Sequence, residues 1–272
     1  MEQIINFLPV VFALLATGVV AGILAGLLGV GGGIVIVPVL YYLFQYFGVS
    51  PVSAMLIATA TSLATIVPTS VSSIRAHHQN SNVDWDLLKW LGPFVVGGVV
   101  AGSLLVTKVG GPWLTGMFGV IATLSAFNML FRGNAAPLAQ ELPSKPGQGV
   151  IGSSIGCLSV MIGIGGGTLT VPTLTAFNYP AHKAVGTAAA VGLLIALPGV
   201  ATMLLAGQAP VDAPVGNIGM VNWLGFAFIV PLTVAFSPVG ARIGKKLDSK
   251  KLKKVFAVVL AFTGIRMLLQ TL

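Results

Sequence analysis

The stretch Gly29-Val30-Gly31-Gly32-Gly33, with an apolar segment that runs on to Pro38, returns almost unchanged as Gly163-Ile164-Gly165-Gly166-Gly167 with a segment that runs to Pro172. Glycine weakens a helix and reaches positive φ without strain, so four glycines in five positions predict a sharp turn with exposed backbone N–H groups. Proline suits the first turn of a helix, and we therefore expect helix to resume at Pro38 and at Pro172. In a membrane, such a break is tolerated only where it is buried in protein or lines a cavity.

The composition is that of a polytopic membrane protein. Of the 272 residues, 56% are hydrophobic and 7% are charged, and the mean hydropathy is +0.97, whereas soluble proteins average about 25% charged residues. A net charge of +8 would suggest nucleic acid in a soluble chain. Here, however, half of the basic residues form one run, which is typical of a cytoplasmic loop beside anionic lipid, so we expect lipid and no nucleic acid as a partner. The run consists of Arg242, Lys245, Lys246, Lys250, Lys251, Lys253 and Lys254.

The repeat extends beyond the glycines. Three blocks of the first half match the second half at nearly constant offsets. An offset of 134 aligns Gly31, Gly32, Gly33 and Pro38 with Gly165, Gly166, Gly167 and Pro172. An offset of 130 aligns Pro68 with Pro198, and an offset of 138 aligns Gly102, Phe118 and Met129 with Gly240, Phe256 and Met267. Each half then holds a short hairpin broken at its glycines and three full spans, and an odd number of spans gives the halves opposite orientations. We therefore predict an all-α polytopic membrane protein with two inverted repeats of five helical elements. The first repeat covers residues 1–131, a cytoplasmic connector 132–149 and the second repeat 150–272.

Basic residues predict the orientation of the chain. The loops after the third, fifth, seventh and ninth elements contain Arg75 with Lys89, Arg132 with Lys145, Lys183, and the basic run, whereas the loops between them contain only Lys108. By the positive-inside rule the first set faces the cytoplasm, which places both termini outside the plasma (inner) membrane. The first hairpin then enters from outside and the second from inside. Their glycine tips should approach each other near the midplane, beside a substrate cavity.

The glycine turns are the candidate binding site. Consecutive amides form a concave nest for anions, and the N-terminus of the following helix adds partial positive charge. The preceding helix points its C-terminus at the same place, which would favour a cation. We favour an anion, because the glycine amides can turn toward a cavity and no aspartate or glutamate lies in a predicted span to balance a cation. Close packing alone is the other interpretation. The residues concerned are Gly31, Gly32, Gly33, Gly165, Gly166, Gly167 and Thr168.

Hydroxyl groups and two cations complete the candidate set. Hydroxyls can donate to an oxyanion without the desolvation cost of a fixed charge, although in helix bundles they also serve packing. Arg266 lies about four turns into the last span and either contacts substrate or extends to the interface. Lys183 either attracts anions to the cytoplasmic mouth or is an ordinary inside charge. The hydroxyls nearest the middle of the predicted spans are those of Thr59, Thr61, Ser62 and Thr187.

Enzymatic and cofactor chemistry is not expected. His77 and His78 are adjacent and cannot share one helix face, so no metal site is predicted there. The segment from Gly29 to Ile34 lacks the last glycine of a dinucleotide-binding fingerprint, and no ribose-binding acid follows. An enzyme embedded in the membrane would need a nucleophile or metal cluster within the spans, and the sequence supplies neither. We therefore predict no cofactor, no metal and no catalytic residue.

The doubled motif, Gly29 to Pro38 and Gly163 to Pro172, in a chain of this length with a central polar connector, resembles the sulfite exporter TauE/SafE family of membrane transporters. The resemblance implies movement of small sulfur-containing anions, such as sulfite, sulfoacetate or other organosulfonates, across the plasma membrane. With the repeat, it predicts a secondary transporter that exports its substrate by alternating access. Export is favoured by about 2.3 kcal/mol per charge per 100 mV. The alternatives are a passive small-anion channel and an uptake permease for another anionic solute, and a homodimer is compatible with the sequence.

Overall fold

The computed structural model describes residues 2–106, 111–131, 138–205, 207–246 and 249–271, and it describes side chains there except at 2–7, 245–246, 249–256 and 259. This part of the chain is helical apart from short loops and one two-stranded antiparallel ribbon. The elements in chain order are α1 (Glu2–Leu28), α2 (Gly33–Tyr46), α3 (Pro51–His78), α4 (Trp85–Val106), α5 (Gly111–Phe131), α6 (Lys145–Ile162), α7 (Gly167–Ala176), α8 (Ala181–Leu205), β1 (Asn217–Ile218), β2 (Val221–Asn222), α9 (Trp223–Lys246) and α10 (Ser249–Leu269).

Six of the described helices are long and apolar enough to cross a membrane, namely α1, α3, α4, α5, α8 and α9. The described apolar part of α10 is Leu260–Leu269. A bilayer core of roughly 30 Å requires about 20 apolar residues in a helix, a length that α2 and α7 do not reach. The predicted all-α polytopic membrane protein is confirmed.

Three helix boundaries differ from the prediction. Helices α2 and α7 begin at Gly33 and Gly167, before Pro38 and Pro172, because the carbonyls of Gly32 and Gly166 already accept N–H groups of the first turn. Each proline therefore lies inside its helix and removes only one backbone hydrogen bond. Helix α6 begins at Lys145 and not near residue 150, since Pro146 suits the first turn of a helix and the carbonyl of Ser144 accepts the N–H of Gln148.

The chain reverses direction at each glycine turn, as a hairpin requires. Gly32 lies against Ala21, so the segment after α1 runs back along it. Helix α1 is nevertheless longer than a hairpin arm that ends near the midplane of the membrane. Its 27 residues span about 40 Å at 1.5 Å per residue. The corresponding arm of the second half, α6, has 18 residues. The two hairpins are thus unequal in length.

Small residues join the helices in pairs. Along α1, Gly18 faces Ile229, Gly22 faces Thr233 and Gly26 faces Ser237, so α1 and α9 run parallel. The four-residue spacing of these glycines in the sequence predicts such close packing, and the structure confirms it. Small residues let helix backbones approach where the surrounding lipid provides no hydrophobic drive for association.

Two further helix pairs join the first half to the second. Gly98 faces Ser153 and Gly102 faces Cys157, so α4 and α6 also run parallel. Helices α5 and α10 run antiparallel, since Gly116 lies near Thr271 and Gly264 lies near Thr123. Helices α3 and α8 lie side by side between these pairs.

Candidate functional site

The two glycine turns are in direct contact inside the helix bundle. A Cβ atom on Gly165 would overlap the carbonyl of Val30, and one on Gly167 would overlap the carbonyl of Gly29. A Cβ on Gly33 would lie 2.5 Å from the carbonyl oxygen of Gly163. The predicted approach of the turns is therefore present. The turns pack against one another, however, and do not flank the open cavity that the sequence led us to expect.

The glycines of the two turns have different physical roles. In the first turn Gly31 and Gly32 have φ of 70° and 84°, a conformation that residues with a side chain rarely adopt. In the second turn only Gly163, with φ of 69°, is left-handed. Gly166 is right-handed, and a side chain there would meet the backbone nitrogen of Gly192 at 2.7 Å. The glycines of the second turn therefore serve mainly to let neighbouring backbone approach closely, and only Gly163 is needed for a left-handed conformation.

Both turns carry backbone N–H groups without a protein acceptor. Among the described residues, none accepts a hydrogen bond from the N–H groups of residues 30–34 or 165–169. All but Leu169 are buried. Free N–H groups are normal in the first turn of a helix, but buried ones are almost always paired with protein, water or a ligand. The contact between the turns therefore concentrates hydrogen-bond donors that an anion or water can satisfy.

Three predicted hydroxyls lie at this contact. Ser62 Oγ donates to the carbonyl of Gly163 at 2.8 Å and so ties α3 to the second turn. Thr59 lies against Gly163, and its buried hydroxyl has no partner among the described residues. Thr168 directly follows Gly167, and its hydroxyl is also buried without a partner among the described residues. Thr59 and Thr168 can therefore donate to a bound anion without breaking an existing hydrogen bond.

Thr61 and Thr187 hold loops and lie outside the contact between the turns. Thr61 Oγ1 accepts the backbone N–H of Asn222 at 2.9 Å, and Thr187 Oγ1 accepts that of Asp84 at 3.0 Å. Both hydroxyls are fully buried. The structure thus gives these two predicted site residues a structural contact, which the sequence alone could not separate from a substrate contact.

Arg266 is not brought to the glycine turns. Its side chain is exposed, and its guanidinium lies 5.8 Å from the ring centroid of Tyr42. Tyr42 lies nine residues beyond Gly33 on α2, which is about 13 Å along the helix. The guanidinium extends outward along the aromatic ring, as long basic side chains do near an interface.

Lys183 lies at the start of α8 beside Asp84, and its side chain is exposed. Two residues further on, the carbonyl of Val185 lies against Gly29 of the first turn. Burial acts to raise the pKa of Asp84, but hydrogen bonds from the Leu87 N–H, the Tyr179 hydroxyl and the Asp86 N–H lower it, as does the charge of Lys183, and the pKa of Asp84 is lowered overall. The same burial and the hydrogen bond to Asp84 raise the pKa of Tyr179. Asp84 is therefore a structural anion of the loop between α3 and α4.

Asp212 anchors the opposite end of α3. It is exposed, and its carboxylate accepts the backbone N–H of Ser50 at 2.8 Å. Hydrogen bonds from Ser53 and Ser50 lower the pKa of Asp212 to about 2. Neither Asp84 nor Asp212 lies at the glycine turns, so neither carboxylate supplies a charge there.

Sequence reasoning missed that Asp84 and Asn222 have equivalent roles in the two halves. Each residue accepts an N–H of the helix that follows, from Leu87 in α4 and from Gly225 in α9. Each also donates its own N–H to a threonine of the other half. The signal was present, since adding 138 to the Asp84-Trp85 pair gives Asn222-Trp223.

A narrow cleft opens between α4, α6 and α7, away from the contact between the turns. Apolar side chains line most of it, including Leu91, Ile155 and Leu174. An anion gains little from such a lining, because it would lose its hydration and find few donors, of which the unpaired hydroxyl of Thr170 is one. The contact between the turns is therefore the better candidate site.

A bundle with six apolar spans among its described helices defines a polytopic membrane protein, and its two glycine turns bring buried donors together. The model of the family "Sulfite exporter TauE/SafE" matches residues 14–267. The chain therefore belongs to the sulfite exporter TauE/SafE family.

Curated relatives carry transporter names. A "Probable membrane transporter protein" of Haemophilus influenzae is 31% identical over 94% of this chain and 97% of its own length. Relatives with the same description in Methanocaldococcus jannaschii and Bacillus subtilis are 28% and 27% identical, and the alignments cover 97% and 94% of this chain and 97% and 96% of theirs. No solved structure matches the chain. The protein is a multi-pass membrane transporter and not an enzyme.

Proposed function

We propose that this transporter is a secondary carrier that exports a small sulfur-containing oxyanion, such as sulfite or an organosulfonate, across the plasma membrane by alternating access. The observation that carries the proposal is the contact between the two glycine turns, where buried N–H groups and the hydroxyls of Thr59 and Thr168 lack protein acceptors. Oxyanions are bound in proteins by such neutral donors. The family name supplies the sulfur chemistry.

The helix directions support two inverted repeats of five elements, 1–131 and 150–272, joined by the connector 132–149. In such a repeat, elements at equal positions run antiparallel in the membrane. Helices α5 and α10 do so, and so do α3 and α8, where Leu63 lies near Gly199 and Ser70 lies near Gly192. The packing partners also fit an inverted repeat. Helix α1 packs on α9, and the equivalent helix α6 packs on α4, the equivalent of α9.

The distribution of basic residues supports a cytoplasmic location for one end of the bundle, with both termini outside. Arg75 lies in the last turn of α3. The loop after α3 contacts the start of α8, where Lys183 lies. Lys145, at the start of α6, lies 5.1 Å from the ring centroid of Trp90 near the start of α4. Helix α9 runs parallel to α3 and brings Arg242 to the same end. Concentration of positive charge at one end is typical of the inner face.

Direct contact between the turns corresponds to a closed state of the carrier. Substrate binding would then require the turns to separate or rotate, after which the unpaired donors face the anion. No lysine or arginine lies in either turn, so release does not require breaking an ion pair. A pore that stays open has no need of such a closed contact, which favours a carrier over the alternative of a passive channel.

The test is flux of sulfite in proteoliposomes that contain the purified protein. We expect saturable flux and counterflow, with at least a tenfold loss in Gly167→Ala, whose Cβ would overlap the carbonyl of Gly29. Gly97→Ala is the matched control, because nothing lies within 4 Å of its Cβ position. Unsaturated flux without counterflow would identify a channel. Absence of flux for every sulfur oxyanion tested would contradict the proposal.

A further inference from the structure

Ser70 has a buried hydroxyl that no contact explains. It is 1% exposed and has no hydrogen-bond partner among the described residues. Its neighbours on α3 behave differently, since Thr65 Oγ1 donates to the carbonyl of Ser62 and Thr69 Oγ1 donates to that of Thr65. Such back-bonding is the usual solution for hydroxyls within a helix. Ser70 makes no such bond to a carbonyl of its own helix.

The hydroxyl of Ser70 lies beside a second unpaired donor. Gly166 is the residue before α7, and its N–H has no acceptor in the described part of the chain. Both groups face Gly192, near the middle of α8. An ideal Cβ on Gly192 would lie 3.2 Å from Ser70 Oγ and 3.4 Å from Gly166 N, and no other atom outside α8 lies within 4 Å.

Gly192 therefore leaves a small niche whose lining is polar. At the turns, Gly165 and Gly167 face the carbonyl oxygens of Val30 and Gly29. An added methyl group at Gly192 would instead meet two donors that have no acceptor among the described residues. A niche of this kind suits one oxygen atom that accepts both hydrogen bonds, and it lies at the N-terminus of α7, where the helix adds partial positive charge.

We propose that the niche formed by Ser70, Gly166 and Gly192 is a substrate subsite that binds one oxygen of the transported oxyanion. This inference rests on the proposed function and adds a specificity-determining residue, Ser70, outside the glycine motifs. The subsite requires a ligand with an acceptor oxygen, as sulfites and sulfonates have. It fixes the orientation of the anion against α3 and α8, the two helices that flank the turns.

The test measures the concentration dependence of sulfite flux in proteoliposomes for Ser70→Ala and Gly192→Ala. A lost hydrogen bond to a charged group changes affinity by about tenfold or more. We therefore expect the KM for sulfite to rise about tenfold in both variants with the maximal rate retained. Gly192→Ala should fold, because alanine favours a helix and the tightest contact of its methyl group, at 3.2 Å, is with the end of the Ser70 side chain.

Two controls separate the subsite from a structural role. Ser103→Ala removes another buried hydroxyl without a partner, on α4, and Gly97→Ala introduces a methyl group into an open position of the same helix. Both should keep the parent KM. Unchanged KM in Ser70→Ala and Gly192→Ala, in a protein that carries sulfite saturably and loses flux in Gly167→Ala, would overturn the subsite and leave the proposed function standing. A parent protein without sulfur-oxyanion flux would overturn both.

Discussion

Asp84 and Asn222 show how single residues hold the two halves together. Each closes the N-terminus of the following helix, with distances of 2.9 Å to the N–H of Leu87 and 2.8 Å to that of Gly225. Each donates its own N–H to a buried threonine of the opposite half. Asp84 differs in carrying a charge, which the Tyr179 hydroxyl and Lys183 stabilise. A carboxylate at one end and an amide at the other give the two ends different responses to pH.

Asp84→Asn should lower stability at neutral pH by about 1 kcal/mol, because it removes the charge that strengthens the hydrogen bond from Tyr179. The pKa of Asp84 is lowered from 3.8 in the folded protein, so its contribution is present above that value and is lost as the pH falls through the folded pKa. Melting temperature measured between pH 7 and pH 3 should therefore converge for the parent protein and Asp84→Asn in acid.

The control for this prediction is Asp86→Asn. Asp86 forms an exposed ion pair with Lys89 at 3.2 Å, and exposed pairs contribute little to stability. Its melting temperature should stay near that of the parent protein across the range. A loss in Asp86→Asn equal to that in Asp84→Asn would show that a general change in surface charge, and not the Asp84 contacts, is measured.

At the scale of elements, a loop of the opposite half contacts each of the central helices α3 and α8. The ribbon of β1 and β2 carries Asn222 to Thr61, about 15 Å along α3 from Pro51. The loop between α3 and α4 carries Asp84 to Thr187 in α8. If the carrier alternates between two open states, we expect these two contacts to change when either end opens.

Thr61→Val and Thr187→Val should each destabilise the protein by about 1–3 kcal/mol, because valine leaves a buried N–H without its acceptor. Thr202→Val is the matched control, since Thr202 donates only to the carbonyl of Pro198 in its own helix. Thermal unfolding in detergent measures the difference. Equal melting temperatures for Thr61→Val, Thr187→Val and Thr202→Val would show that the loop contacts do not hold the central helices.

The sequence predicted the elements better than their contacts. Periodic apolar segments and glycine runs are local signals, so the hairpins, the spans and the packing of Gly18, Gly22 and Gly26 could be predicted. The role of Thr61 and Thr187 depends on loops more than a hundred residues away in the chain, which no local pattern reveals. The starts of α2 and α7 were wrong because glycine carbonyls can accept the first helical hydrogen bonds.

At the scale of the whole molecule, the candidate site lies where the two glycine turns meet. The approach of the glycine turns could be predicted, because the doubled motif places a turn at the tip of each hairpin. Their direct packing could not, since it depends on the neighbours of Gly165 and Gly167 in the folded protein. Ser70 was missed for the same reason, because its unpaired hydroxyl is evident only beside Gly166 and Gly192.

The most direct test of the account is amide hydrogen–deuterium exchange of the purified protein with and without sulfite. Binding by the turn amides predicts that sulfite slows exchange in the peptides that cover residues 29–36 and 163–170, because new hydrogen bonds protect these N–H groups. Chloride at the same ionic strength is the control and should leave both peptides unchanged. Protection confined to another segment, such as the surroundings of Arg266, with neither glycine turn affected, would contradict the account.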